Sequence, residues 1–242
     1  MQDDFTQDGK ALFQTDFTAL DNSGVSGHAV LLVDSAAQTV TVDIEAQGLE
    51  PGQMHIQHIH GFADDSKSHS PSIAQDTDGD GFVELGEGLP SYGPIQLNLT
   101  LNPENAVHDH GAGHDHTAAA IFPTVGADGV LRYHEVFAFN PADPNAQAIF
   151  DDIMPLGAKE IVLHGMTTTA RQGAGTEGEV DGTAGFKLVL PVASGELTQV
   201  EGAAAVLAAT DALGVDPGAV VDWNAIGDQV QANFDATGHW FL

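Results

Sequence analysis

Val40-Thr41-Val42-Asp43-Ile44-Glu45 is the stretch whose reading decides the fold. Apolar Val40, Val42 and Ile44 alternate with polar Thr41, Asp43 and Glu45. A period of two puts every second side chain on one buried face of a strand. Upstream, His28 to Val33 is rich in valine and leucine, and Asp21-Asn22-Ser23-Gly24 before it is turn chemistry. Downstream, the same reading predicts strands at Met54–His60, Ile95–Leu101, Val130–Phe139, Glu160–Met166 and Gly185–Val192. Turns at Glu50-Pro51-Gly52 and Ala127-Asp128-Gly129 separate them. Many short strands with Gly-rich turns predict an all-β antiparallel β-sandwich or flattened barrel.

Two segments break the pattern. Phe62–Pro94 is polar and glycine-rich, and Asn102–Thr117 is rich in histidine; both are expected to be loops. From Glu201 the character changes. Ala203–Ala209 favours helix, and Trp223, Ile226, Val230 and Phe234 fall on one helical face. The expected organisation is a β-sandwich over 1–200 and a helical extension over 201–242. That extension packs on the sandwich or forms a subunit contact, so a homodimer is among the expectations.

Composition limits the partners. The 242 residues include 35 acidic and 6 basic side chains, a formal charge of −29. Such a balance argues against nucleic acid and anionic membranes. It fits a halophilic or marine surface kept soluble by carboxylates. At 42% hydrophobic the chain can bury a core, and its 28 glycines favour turns over long helices. No apolar run approaches the roughly 20 residues that cross a bilayer, so membrane insertion is not expected. The absence of cysteine excludes disulfides, thiolate metal sites and cysteine nucleophiles. The opening Met1-Gln2-Asp3-Asp4 reads as a mature chain behind an added initiator, consistent with a secreted, periplasmic or extracellular protein.

The segment His55-Ile56-Gln57-His58-Ile59-His60 carries the most chemistry. On a strand, His58 and His60 point to one face, about 7 Å apart along the backbone. Two imidazoles so placed can share a metal, and neutral imidazole suits copper and zinc. A third ligand must come from elsewhere, and His164 ends another β-like run, Ile161-Val162-Leu163-His164-Gly165. Ordinary core or surface histidines are the alternative.

The stretch from Gly48-Leu49-Glu50-Pro51-Gly52 to His58-Ile59-His60 resembles copper–zinc superoxide dismutases, in which a Gly-Leu turn leads into a His-x-x-His-x-His strand. Ile161–Gly165 resembles that family's later copper-histidine strand, and Gly182-Thr183-Ala184-Gly185-Phe186-Lys187-Leu188 its Gly-Asn-Ala-Gly-x-Arg-Leu segment. The resemblance covers roughly residues 10–195. It implies a Greek-key fold of superoxide dismutase type with a copper site at His58, His60 and His164. His55 is then a bracing histidine, and Lys187 stands where an arginine holds the small anionic substrate. Lysine keeps that charge without the planar fork. Arg171 falls in the segment resembling the electrostatic loop.

The pattern also departs from that family. His69 is the only nearby candidate for the copper–zinc bridging histidine; the zinc set is not recognisable and the disulfide is gone. A copper-only variant is therefore expected. Gln57-His58-Ile59-His60-Gly61 with its following acidic loop is also similar to bacterial CHRD-type domains.

Asp76-Thr77-Asp78-Gly79-Asp80-Gly81-Phe82-Val83-Glu84-Leu85-Gly86-Glu87 matches a twelve-residue EF-hand loop at each ligand position. Asp76, Asp78, Asp80, the Phe82 carbonyl, Glu84 and Glu87 would bind calcium, with Gly81 at the sharp turn. Flanking helices are not evident, since Pro71 and Pro90 crowd the loop. A structural calcium site is expected rather than a switch. His108, His110, His114 and His116 form a glycine-containing tract able to take up copper, zinc or nickel. The functional expectation is a copper-binding, dismutase-like oxidoreductase. A non-catalytic copper or zinc module, a calcium-stabilised extracellular module and a zinc hydrolase are the alternatives.

Overall fold

The computed structural model describes residues 3, 5–7, 9–107 and 121–200; the histidine tract 108–116 and the expected helical extension 201–242 lie outside them. Ten strands are present: β1 (Lys10–Asp16), β2 (Thr18–Ala19), β3 (Ser26–Asp34), β4 (Thr39–Gln47), β5 (Gln57–His60), β6 (Ile95–Asn98), β7 (Val130–Ala138), β8 (Glu160–Thr168), β9 (Gly185–Glu196) and β10 (Thr198–Gln199). They form two five-stranded antiparallel sheets, in the orders β10-β1-β3-β4-β7 and β2-β9-β8-β5-β6.

The alternation in β4 is realised as expected. Val40, Val42, Ile44 and Ala46 are fully buried, and they pack with Ala29, Leu31 and Val33 of β3 and Phe13 of β1. The second sheet meets them with Ile59, Leu97, Ile161, Leu163 and Val192, so one core lies between the sheets. Each such aliphatic side chain contributes roughly 1.5–3 kcal/mol of burial. Odd positions of β5 and β8 therefore face the core. His58, His60, Glu160, Val162 and His164 take the opposite face, where long loops cover them.

The structure corrects two readings. The strand expected over Met54–His60 runs only from Gln57, because His55 N–H donates to the Pro123 carbonyl and Met54 bridges Thr124 instead of extending the ladder. Helix α1 (Leu85–Tyr92) interrupts the segment read as a loop. Its start is a reciprocal cap, with Glu84 and Glu87 each accepting the other's backbone N–H. Pro90 removes one backbone donor from its solvent-facing last turn, yet the helix persists and ends at Gly93, whose N–H bonds to Leu89. A four-residue turn, α2 (Pro103–Ala106), and helix α3 (Pro144–Ile153) complete the elements. Helix α3 buries Ala146, Ile149, Phe150 and Ile153 against the sandwich, starting at Pro144 behind an Asp143 cap.

Candidate metal centre

His58 and His60 lie on β5, flanked by β6 and β8 near the middle of their sheet, and His164 lies on β8. His58 is opposite Val162, and His164 N–H donates to the Ile56 carbonyl at 3.0 Å. That register brings the three rings together, with centroids 5.2 Å (His58–His164), 5.6 Å (His58–His60) and 6.1 Å (His60–His164) apart. One ring nitrogen from each lies within 4.8 Å of the others. All three residues are 0–1% exposed.

The backbone fixes two of the tautomers. His60 Nδ1–H donates to the Gly93 carbonyl (2.8 Å), and His164 Nδ1–H donates to the Val189 carbonyl (2.7 Å). A carbonyl only accepts, so in both rings Nε2 carries the lone pair. Such outer-shell acceptors orient metal-binding imidazoles in general. Nitrogens bound to one metal at about 2.0–2.1 Å can be no more than about 4.2 Å apart. Closing this triad thus takes a movement below 1 Å. The donor set suits copper or zinc, and its metal-binding character is that of a buried three-histidine group.

Glycine makes the close approaches. At Gly93 (φ +81°) a Cβ would stand 2.5 Å from the Gly61 carbonyl oxygen, so only glycine lets its carbonyl reach His60. At Gly165 (φ +112°) a Cβ would meet the Phe186 ring at 2.6 Å and His55 Nδ1 at 2.9 Å. His55 is buried and donates through Nδ1 to the His164 carbonyl (2.9 Å), with Nε2 3.2 Å from the Glu50 carbonyl. The Glu50 carboxylate in turn accepts from the backbone N–H and hydroxyl of Thr167.

Aromatic groups close the site. The Tyr92 ring lies 4.7 Å from that of His60, and the Phe122 ring 5.5 Å from that of His58. Neither carries a local sequence signal, because each meets its histidine only through the fold, across dozens of residues. Glu160, directly opposite His60, is fully buried; its removal from water pushes its carboxyl up to about 7 despite the Ser70 hydroxyl at 2.6 Å.

No protein-family model matches the chain, and no curated protein matches it.

The remaining sequence candidates fall elsewhere. His69 is 66% exposed and sits 3.3 Å from Glu196, outside the histidine group. Lys187 is on β9 opposite Met166, and its ammonium is held by Asp181 (3.1 Å) and Thr183 (2.8 Å). Arg171 is exposed at φ +81° and donates its backbone N–H to Gly182.

The structure gathers Asp76, Asp78 and Asp80, with one oxygen from each within 4.8 Å of the others. Asp76 accepts backbone N–H bonds from Gly79, Asp80 and Gly81 (2.7–3.2 Å). Glu87 closes back on the loop, accepting from Thr77 and Asp78. Glu84, expected among the ligands, turns away: its carboxylate accepts from Val180 N–H at 2.5 Å, and a Cβ at Gly178 would collide with it. It clasps the 169–184 loop instead. Burial, followed by neighbouring carboxylates, pushes Glu84 up to about 7. Asp21, read in the sequence only as turn chemistry, accepts from Val83 N–H (2.6 Å) and is likewise raised to about 7, first by burial and then by Asp80, Glu87 and Glu84.

Proposed function

We propose that the chain is a copper-binding protein of superoxide dismutase-like type, with His58, His60 and His164 as the copper ligands. The observation that carries this reading is the convergence of three buried imidazoles from two strands, two of them oriented by backbone carbonyls. The two-sheet antiparallel winding supports it too, with crossings between the sheets from β4 to β5, from β6 to β7 and from β7 to β8 among others. His55 braces His164 from behind, as the resemblance implies.

Copper supplies a one-electron couple, and dismutation would convert two superoxide ions and two protons into oxygen and hydrogen peroxide. The protein's share is to hold the imidazoles neutral with Nε2 presented, to keep the site shielded by Tyr92 and Phe122, and to place Lys187 near its rim. Copper-loaded protein should remove superoxide faster than copper-loaded His164→Ala. Equal rates for the two would end the dismutase assignment. A second reading, copper or zinc held without turnover, is favoured by one observation: Lys187 is already paired with a carboxylate. Elemental analysis of natively purified protein separates copper from zinc.

The 76–87 loop is proposed as a structural calcium site, with Asp76, Asp78, Asp80, the Phe82 carbonyl and Glu87 as ligands. Spacing and the gathered aspartates support it. A periplasmic or extracellular setting, where calcium is plentiful, agrees with that role.

A further inference from the structure

We infer that Asp181 is a positioning residue that sets the charge selectivity of the histidine centre by latching the ammonium of Lys187, so that the centre discriminates against anions while the pair is intact. The inference rests on the copper-centre reading above.

Lys187 lies between two residues that touch the site. Phe186 packs edge-on against His55 (5.6 Å), and the Val189 carbonyl accepts from His164. Its side chain is 15% exposed, so its charge sits at the rim rather than in bulk water. The ammonium donates to Asp181 Oδ1 and to Thr183 Oγ1.

Asp181 is fixed independently of the lysine. It accepts from Thr183 N–H (3.1 Å) and Thr183 Oγ1–H (2.5 Å), and these two bonds, more than Lys187, hold its carboxyl well below the usual carboxylate range. Its neighbour Val180 is fully buried and tied to Glu84, while Gly182 is tied to Arg171. The carboxylate is therefore anchored on both sides in the chain, and the lysine comes to it.

The electrostatic consequence is simple. An anion approaching the centre meets a pair of net charge zero instead of a cation. Little else offsets a chain of charge −29: Lys67, Arg132 and Lys159 are also in ion pairs, with Glu196, Asp128 and Asp65. Removing one negative charge from beside the strand that also carries the His164-binding carbonyl favours anions at the centre at low salt, and less so at physiological ionic strength.

The test uses the copper-loaded full chain and azide, followed by absorbance and electron paramagnetic resonance. Asp181→Asn keeps an oxygen for both Thr183 donors and removes only the charge. It is expected to bind azide about threefold more tightly than wild type, with the gain shrinking as salt rises. Lys187→Met, which leaves the Asp181 charge unpaired, should bind azide about threefold more weakly than wild type, and Asp181→Asn/Lys187→Met, net neutral like the intact pair, should lose the gain. Imidazole, a neutral ligand, should bind alike in all variants. Unchanged azide affinity in Asp181→Asn, a gain that survives in the double variant, or a parallel gain for imidazole would overturn the latch. Failure of the underlying reading looks different: His164→Ala would then bind copper as wild type does.

Discussion

The molecule gathers metal-binding chemistry in two places, and they are built on opposite principles. The histidine group sits on paired strands, is almost fully buried, and has its ring orientations set by carbonyls of Gly93 and Val189. As neutral imidazoles its members can be buried together without charge repulsion. The 76–87 loop is mostly exposed, and its carboxylates are shaped by the loop's own N–H groups. Like charges gathered there repel unless a cation intervenes, and this adds to the burial that is the main cause of the raised Asp21 and Glu84, both at about 7. The first site is preorganised by the fold. The second is encoded locally and would need a cation to complete it. Helix α1 joins them: Glu84 and Glu87 cap its start, and its last residue Tyr92 stacks on His60.

This contrast can be broken by mutation. The largest effect is expected at the preorganised site. His60→Ala or His164→Ala should weaken copper binding at least a hundredfold in a chelator competition, while a calcium titration of the same protein is unchanged. If calcium binding fell equally, the two sites would be one cooperative unit. Glu87→Gln should weaken calcium binding by roughly ten- to a hundredfold, since it removes the bidentate ligand. The copper spectrum of that variant should stay as in wild type.

A third experiment reads the charge cost directly. Asp21 and Glu84 titrate higher folded than unfolded, so the folded state binds more protons between about pH 4 and pH 7. Stability must therefore fall as pH rises through that window and level off above about 7. In chelator, Tm should drop by several degrees from pH 5 to pH 7.5, and saturating calcium or Asp21→Asn should flatten the slope. A Tm that rises over this range without calcium contradicts the account.

The smallest effect concerns the link. Tyr92→Phe loses the hydroxyl bond to the Leu85 carbonyl (3.1 Å) but keeps the ring on His60. It should lower stability by about 1 kcal/mol and change copper affinity less than threefold. A larger change in copper affinity would mean that α1 transmits strain between the sites.

Legibility followed the same division. His58 and His60 are visible in the sequence because alternate strand positions share a face, and β5 obeys that rule. The gathering of Asp76, Asp78 and Asp80 is visible because a turn places them by local spacing alone. His164 was visible as a candidate third ligand because it ends another β-like run, but nothing in its own strand says which partner strand it will face. Tyr92, Phe122, Gly93 and Asp21 gave no signal of their roles, because those roles arise from contacts across dozens of residues. Glu84 was misread for a related reason: the ninth loop position had the right chemistry, but Val180 and Gly178 claimed its carboxylate. Helix α1 was missed because Pro90 and three polar neighbours hid a capping box that works only once the loop has closed.

By itself, then, the sequence determined which segments alternate, where the chain turns, and which side chains carry imidazole or carboxylate. Those properties depend on backbone geometry within a few residues. Tertiary structure decided that β5 lies beside β8 in a register that brings His164 to His58 and His60, and that the Gly93 and Val189 carbonyls orient two of the three rings. Each of these needs atoms far apart in the chain to meet at hydrogen-bond distance, and only the packing of the two sheets and their covering loops fixes that.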